Sequence, residues 1–158
     1  MADRPRGWWG VRVLRASRMG LLSTRYEIAQ DGTPLCVWKP SAFIGGGSFV
    51  LDGCRYDVAR GGWSWRRFRL VDERGELVAL ADGVGRAEWT LDTDGVTHAF
   101  ERPSLIRHEH VLTVAGSPVG TVRRVSAWRG EAEADLPGLP VPVQVFVLVS
   151  LLGVWDED

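Results

Sequence analysis

The residues with the most chemistry to offer lie in one stretch, Gly61-Gly62-Trp63-Ser64-Trp65-Arg66-Arg67-Phe68-Arg69-Leu70. Side chains alternate between the two faces of a β-strand, so a single strand here turns Phe68 and Leu70 inward and Trp63, Trp65, Arg67 and Arg69 outward together. Two indoles and two guanidiniums on one surface suit a partner that is anionic and partly apolar. Guanidiniums pair with phosphate or carboxylate, while indoles settle at a membrane interface or stack on a base. The same residues also admit a reading without a partner, in which arginine stems lie across the indole faces as a solvated cation–π ladder. Arg4-Pro5-Arg6-Gly7-Trp8-Trp9 has the same character, and the two stretches reinforce each other if the fold makes them neighbours.

Other candidates offer less. His108-Glu109-His110 puts two imidazoles on one face of a strand, but a metal site needs three or four ligands and no third stands at a suitable spacing, so neither metal nor cofactor is expected. His98 shares a face with Val96 and Phe100 and reads as a core histidine, not a base. Gly45-Gly46-Gly47-Ser48 is followed by no lysine and reads as a flexible turn, not a phosphate loop. GxSxG, HExxH and dinucleotide fingerprints are absent, and no nucleophile–base or paired-carboxylate arrangement stands out. No catalytic residue is expected, and the chain reads as a binding protein in preference to an enzyme.

Composition narrows the partner. The chain has 158 residues, 45% hydrophobic and 25% charged, with a formal net charge of −1, so the molecule as a whole attracts neither nucleic acid nor an anionic membrane. Any such binding must come from a local patch. Lys39 is the only lysine, a bias that coding in a GC-rich genome explains as readily as function. Cys36 and Cys54 make no CxxC pair and no disulfide framework, as fits free thiols in a reducing cytoplasm. Arginines interrupt the first twenty residues, so no signal peptide is expected.

The elements that must position these residues are hairpins. Short alternating runs meet at polar turns containing glycine: Tyr26 to Ala29 with Leu35 to Trp38, Ser48 to Leu51 with Cys54 to Val58, Arg66 to Val71 with Glu76 to Ala81, Glu88 to Leu91 with Val96 to Arg102, and Glu109 to Val114 with Val119 to Val125. Trp9 to Arg15 and Ser126 to Ala132 are possible additions. An antiparallel meander of about ten to twelve strands avoids exposed edges most completely by closing into a barrel, one too wide for its own side chains to fill.

The occupant is the last apolar run, residues 141–155, which is hydrophobic on every side. From Val143 it would span roughly 43 Å as a strand and roughly 20 Å as a helix, and only the helix fits a domain of this size, with Pro142 tolerated in the first turn. Val145, Phe146, Leu148, Val149 and Leu152 are its expected core residues. The run falls short of the ~20 residues of a membrane span and lacks flanking lysine or arginine, which favours a protein-enclosed helix over a tail anchor. Asp156, Glu157 and Asp158 then mark the barrel mouth in water, with a salt contact to barrel arginines as the alternative that the sequence leaves open.

The order of elements, the phrases Phe49-Val50-Leu51-Asp52-Gly53 and Phe68 to Gly75, and the terminal Pro142 to Leu148 run together resemble the tubby C-terminal-like superfamily, which includes tubby proteins, phospholipid scramblases and LURP-one-related proteins. The resemblance implies one domain over residues 1–158, with barrel strands across 8–132 and a buried central helix at 141–155. It does not carry functional residues over: the Cys-rich segment and acidic calcium stretch of scramblases are absent, and the basic phosphoinositide contacts of tubby proteins find no positional match. The function expected is a non-enzymatic binding or scaffold domain contacting anionic lipid head groups or another phosphate-bearing ligand through Trp63, Trp65, Arg67 and Arg69. The alternatives are a module that offers barrel loops such as 40–47 and 130–140 to a protein partner, and a tail-anchored protein. Nucleic acid is not an expected partner, and the location expected is cytoplasmic, peripheral to a membrane.

Overall fold

The structure is a computed structural model that describes residues 13–41, 45–104 and 106–157. The Arg4 to Trp9 stretch, Asp158 and the first part of the expected Trp9 to Arg15 strand lie outside the described residues.

Twelve strands run in chain order: β1 (Leu14–Arg18), β2 (Tyr26–Gln30), β3 (Thr33–Pro40), β4 (Gly47–Leu51), β5 (Cys54–Arg60), β6 (Arg67–Asp72), β7 (Leu77–Asp82), β8 (Glu88–Thr93), β9 (Val96–Glu101), β10 (Glu109–Val114), β11 (Ser117–Ser126) and β12 (Glu131–Asp135). Each pairs antiparallel with its sequence neighbours, and β12 closes on β1, where Leu14 lies opposite Gln30 on one side and Ala134 on the other. The fold is the closed antiparallel barrel expected from the hairpins. Closure leaves no unpaired edge.

Turn chemistry sets the register. Asp31-Gly32, Asp52-Gly53, Asp94-Gly95 and Ala115-Gly116 all have positive φ at both residues, the geometry of two-residue hairpin turns whose twist matches the strands they join. Aspartate tolerates the left-handed region; Ala115, at φ 52°, adopts it without that help.

Helix α1 (Val141–Trp155) threads the barrel. Twelve of its 15 residues are buried, among them Val145, Phe146, Leu148, Val149 and Leu152. Each buried aliphatic or aromatic side chain contributes ~1.5–3 kcal/mol gross, so the helix is a large part of the core. It runs nearest β12 and β1 on one side of the barrel and β6 and β7 on the opposite side. The inward residues explain these close approaches. Ala16, Ala132, Ala134, Ala79 and Ala81 face in from β1, β12 and β7, whereas Trp38, Phe49, Trp89 and Phe100 fill the remaining interior. Small side chains admit the helix backbone, and large ones occupy the wider gap.

Two polar groups enter the interior with the helix. Gln144 Nε2 donates to the Leu139 carbonyl at 2.7 Å, which ties the connection from β12 to the first helical turn. Gln144 Oε1 and Ser150 Oγ are buried without a partner among the described residues.

Five expectations need correction. The twelfth strand is Glu131–Asp135, because residues 127–130 form a turn inside the expected Ser126 to Ala132 strand, and the first strand is Leu14–Arg18. Residues 61–66 are not strand: Gly61 and Gly62, at φ 106° and 97°, turn the chain, and β6 begins only at Arg67. His98 is half-buried, not a core residue, although Phe100 on the same face is fully buried. The Gly45 to Gly47 run is packed, not open: a Cβ on Gly46 would lie 1.9 Å from the Val58 carbonyl oxygen, and one on Gly47 2.6 Å from the Trp38 ring.

Candidate functional site

In an antiparallel meander the connections alternate between the two ends of the barrel. The β2–β3, β4–β5, β6–β7, β8–β9 and β10–β11 turns lie at the end where α1 begins, and the other six connections between strands lie at the end where it finishes. This parity sorts the chemistry of the chain.

The six loops, residues 19–25, 41–46, 61–66, 83–87, 102–108 and 127–130, contain Arg25, Arg66, Arg86, Arg102, Arg107 and Arg129 and not one aspartate or glutamate. The turns at the other end carry Asp31, Asp52, Glu73, Glu76 and Asp94 against a single arginine, Arg74. Apolar exposure follows the same division. Leu21, Leu22, Trp63, Ile106 and Trp128 are 83%, 99%, 82%, 91% and 84% exposed, and all five stand on the loop end; no other large apolar side chain among the described residues exceeds 59%.

The expected stripe is thus redistributed. Trp63 projects from the β5–β6 loop with the Arg67 guanidinium 5.2 Å from its ring centroid, so these two remain together at the rim. Trp65, half-exposed, turns to the helix terminus. Its ring receives the Arg60 guanidinium at 4.5 Å, and its Nε1 donates to Glu157 Oε2 at 3.2 Å. Arg69 is exposed two residues farther along β6, on the barrel wall. Trp128 and Ile106 were not identified from the sequence, though counting hairpin parity would have placed their loops at the same end of the barrel as Trp63.

Asp156 and Glu157 stay exposed to water and also reach barrel arginines. Arg60, whose side chain is almost fully buried, lies over the Phe68 ring at 4.9 Å, and its Nη2 donates to Glu157 Oε1 at 2.8 Å. That hydrogen bond holds the Glu157 carboxyl below its ordinary pKa. Asp156 accepts from the Tyr26 hydroxyl at 3.0 Å and lies 3.6 Å from Arg124 and 4.0 Å from Arg18. Two carboxylates at a helix C-terminus oppose the helix dipole, and these arginines offset it. Among the described residues, Arg25, Arg86, Arg107 and Arg129 form no ion pair and remain available to an anion.

His108 and His110 both reach Trp155, at ring separations of 5.9 and 6.1 Å. His110 is fully buried, and its Nδ1 accepts from Trp89 Nε1 at 3.0 Å, which fixes the ring in the tautomer protonated on Nε2. Burial, with help from Arg102 and His108, pushes its pKa down to about 4. It is a neutral core residue at physiological pH. Among the described residues no three of His, Cys, Asp and Glu converge as a metal site. Burial raises the Cys36 thiol to about 11, far from a nucleophile, and Cys54 is exposed on β5.

Inside the rim a cavity of about 510 Å³ opens beside the end of α1. Trp38, Phe68, Val149 and Leu152 form its wall, the Gly45–Gly46 backbone one edge, and Arg18, Tyr26 and Asp156 its polar side.

The fold around this site is a closed twelve-stranded antiparallel barrel enclosing a C-terminal hydrophobic helix. A solved structure with which the chain aligns is the X-ray structure of a protein from Arabidopsis thaliana, at 12% identity over 93% of this chain and 90% of that one, with a TM-score of 0.38. No family model matches the sequence, and no curated protein does.

Proposed function

We propose that the protein is a non-enzymatic binding domain that docks end-on to an anionic membrane surface through its loop end. One observation carries this reading: arginines without acids and the most exposed apolar side chains share the same six loops, while the acids of the turns face the opposite way. Such a molecule has almost no net charge and a strong polarity. Near a negative surface the loop end is attracted and the turn end repelled, which orients the approach within a Debye length of about 8–10 Å. Leu21, Leu22, Trp63, Ile106 and Trp128 then enter the interface, where indoles are favoured.

Trp63 and Arg67 belong to this surface directly, Trp65 at its inner edge, and Arg69 only weakly. No helix among the described residues is long and apolar enough to cross a membrane, and in this reading contact is made by the loops.

Co-sedimentation with phosphatidylglycerol vesicles tests the reading, with phosphatidylcholine vesicles for comparison. The unaltered protein binds the anionic vesicles only, and less as salt rises. Trp63→Asp with Trp128→Asp abolishes binding, Arg67→Glu weakens it more than Arg69→Glu, and Leu77→Asp at the turn end leaves it unchanged. An unaltered protein that stays in the supernatant with anionic vesicles, while a protein partner is captured by the same loops, favours the interaction-module alternative.

A further inference from the structure

The cavity at the end of α1 is not needed to explain docking, and its chemistry differs from that of the rim. At about 510 Å³ it falls within the ~300–1,000 Å³ of small-molecule sites. At ~30 Å³ for each water-sized group, it has room for a chain on the order of 15 methylenes. The walls offered to such a chain are indole, phenyl and aliphatic surface from Trp38, Phe68, Val149 and Leu152.

Two further features bear on an occupant. Gly153 lines the cavity from the last turn of α1, where glycine is unfavourable to the helix, yet a Cβ there would meet nothing nearer than 3.7 Å. Packing does not require glycine at this position; a larger side chain would fill the cavity. On the polar side of the cavity Arg18 is only loosely paired, 4.0 Å from Asp156, whose carboxylate accepts from the Tyr26 hydroxyl at 3.0 Å and lies 3.6 Å from Arg124 outside the cavity lining. Leu21 and Leu22 extend the apolar surface outward from the opening.

We infer that this cavity binds one single-chain fatty carboxylate, its hydrocarbon laid along Val149, Leu152 and Phe68 and its carboxylate drawn to Arg18. The loosely paired Arg18 guanidinium favours an anionic head group over a neutral one. The single apolar channel selects one chain over two. The inference does not depend on membrane docking, since the ligand is taken from solution.

Fluorescence enhancement of cis-parinaric acid, titrated below its micelle concentration in vesicle-free buffer, tests it. The full chain gives saturable binding at one site per molecule. Gly153→Leu, which retains the barrel by thermal unfolding, weakens binding by about tenfold or more, a loss of ~1.4 kcal/mol. Leu22→Asp, at a side chain too exposed to affect folding, weakens it through repulsion at the mouth. Dodecanoate displaces the probe more strongly than dodecanol, and Arg18→Gln removes that preference. The inference is overturned by absence of saturable binding, by Gly153→Leu and Leu22→Asp both binding as the unaltered protein does, or by equal displacement by acid and alcohol. None of these outcomes bears on vesicle sedimentation, so the two readings fail separately.

Discussion

His110 shows how one residue's surroundings become a property of the whole fold. Its folded pKa, about 4, lies below the ordinary 6.5, so the unfolded chain takes up this proton first on acidification. Stability is complete above about pH 6.5 and is lost as pH falls toward 4, by up to about 3 kcal/mol. The Glu157 carboxyl, held low by Arg60, adds a loss of the same sign in more acid solution. Urea unfolding midpoints from pH 8 to 4 should fall across this window, and His110→Gln, which keeps an acceptor for Trp89, should flatten the fall. An unchanged pH profile in the variant would assign the effect elsewhere. At this scale the sequence was partly legible. The pairing of His108 and His110 on one face follows from their spacing, but the Trp89 hydrogen bond joins residues 21 positions apart and leaves no local pattern. The same holds for the contacts of Asp156 with Tyr26 and Arg124, which only closure of the barrel brings together.

Among the elements, hairpins with alternating apolar residues and Asp-Gly turns were legible because period and turn chemistry agree. Strands β1 and β12 were not placed correctly. Their sequences, Leu-Arg-Ala-Ser-Arg and Glu-Ala-Glu-Ala-Asp, contain alanines and charges that carry little strand preference, and the alanines are there to admit the helix. The Trp63 to Arg69 stripe failed for the opposite reason: alternation continued through Gly61-Gly62, where the backbone turns. Helix α1 was legible from its length and unbroken hydrophobicity. Its role as the core sets a test. Leu148→Asp puts an unpaired charge at a fully buried position and should cost about 3–5 kcal/mol or more. Removal of residues from Leu139 onward should leave an insoluble or protease-sensitive chain. Soluble yield and thermal unfolding report both, and a truncated chain that remains soluble and unfolds cooperatively would mean that the barrel does not need its helix.

For the molecule as a whole, the decisive property is the division of charge and apolar exposure between two ends. Neither composition nor any single motif contains it, because a net charge of −1 hides two opposed patches. It emerges only when twelve antiparallel strands assign alternate connections to alternate ends. Quenching of tryptophan by lipids brominated on the acyl chain near the head group tests this orientation most directly. Bound to anionic vesicles, the protein should be quenched through Trp63 and Trp128, while the buried Trp38, Trp89 and Trp155 remain shielded. The conservative pair Trp63→Phe with Trp128→Phe should keep binding and lose most of the quenching. Equal quenching in that variant, or binding without quenching, would contradict docking by the loop end.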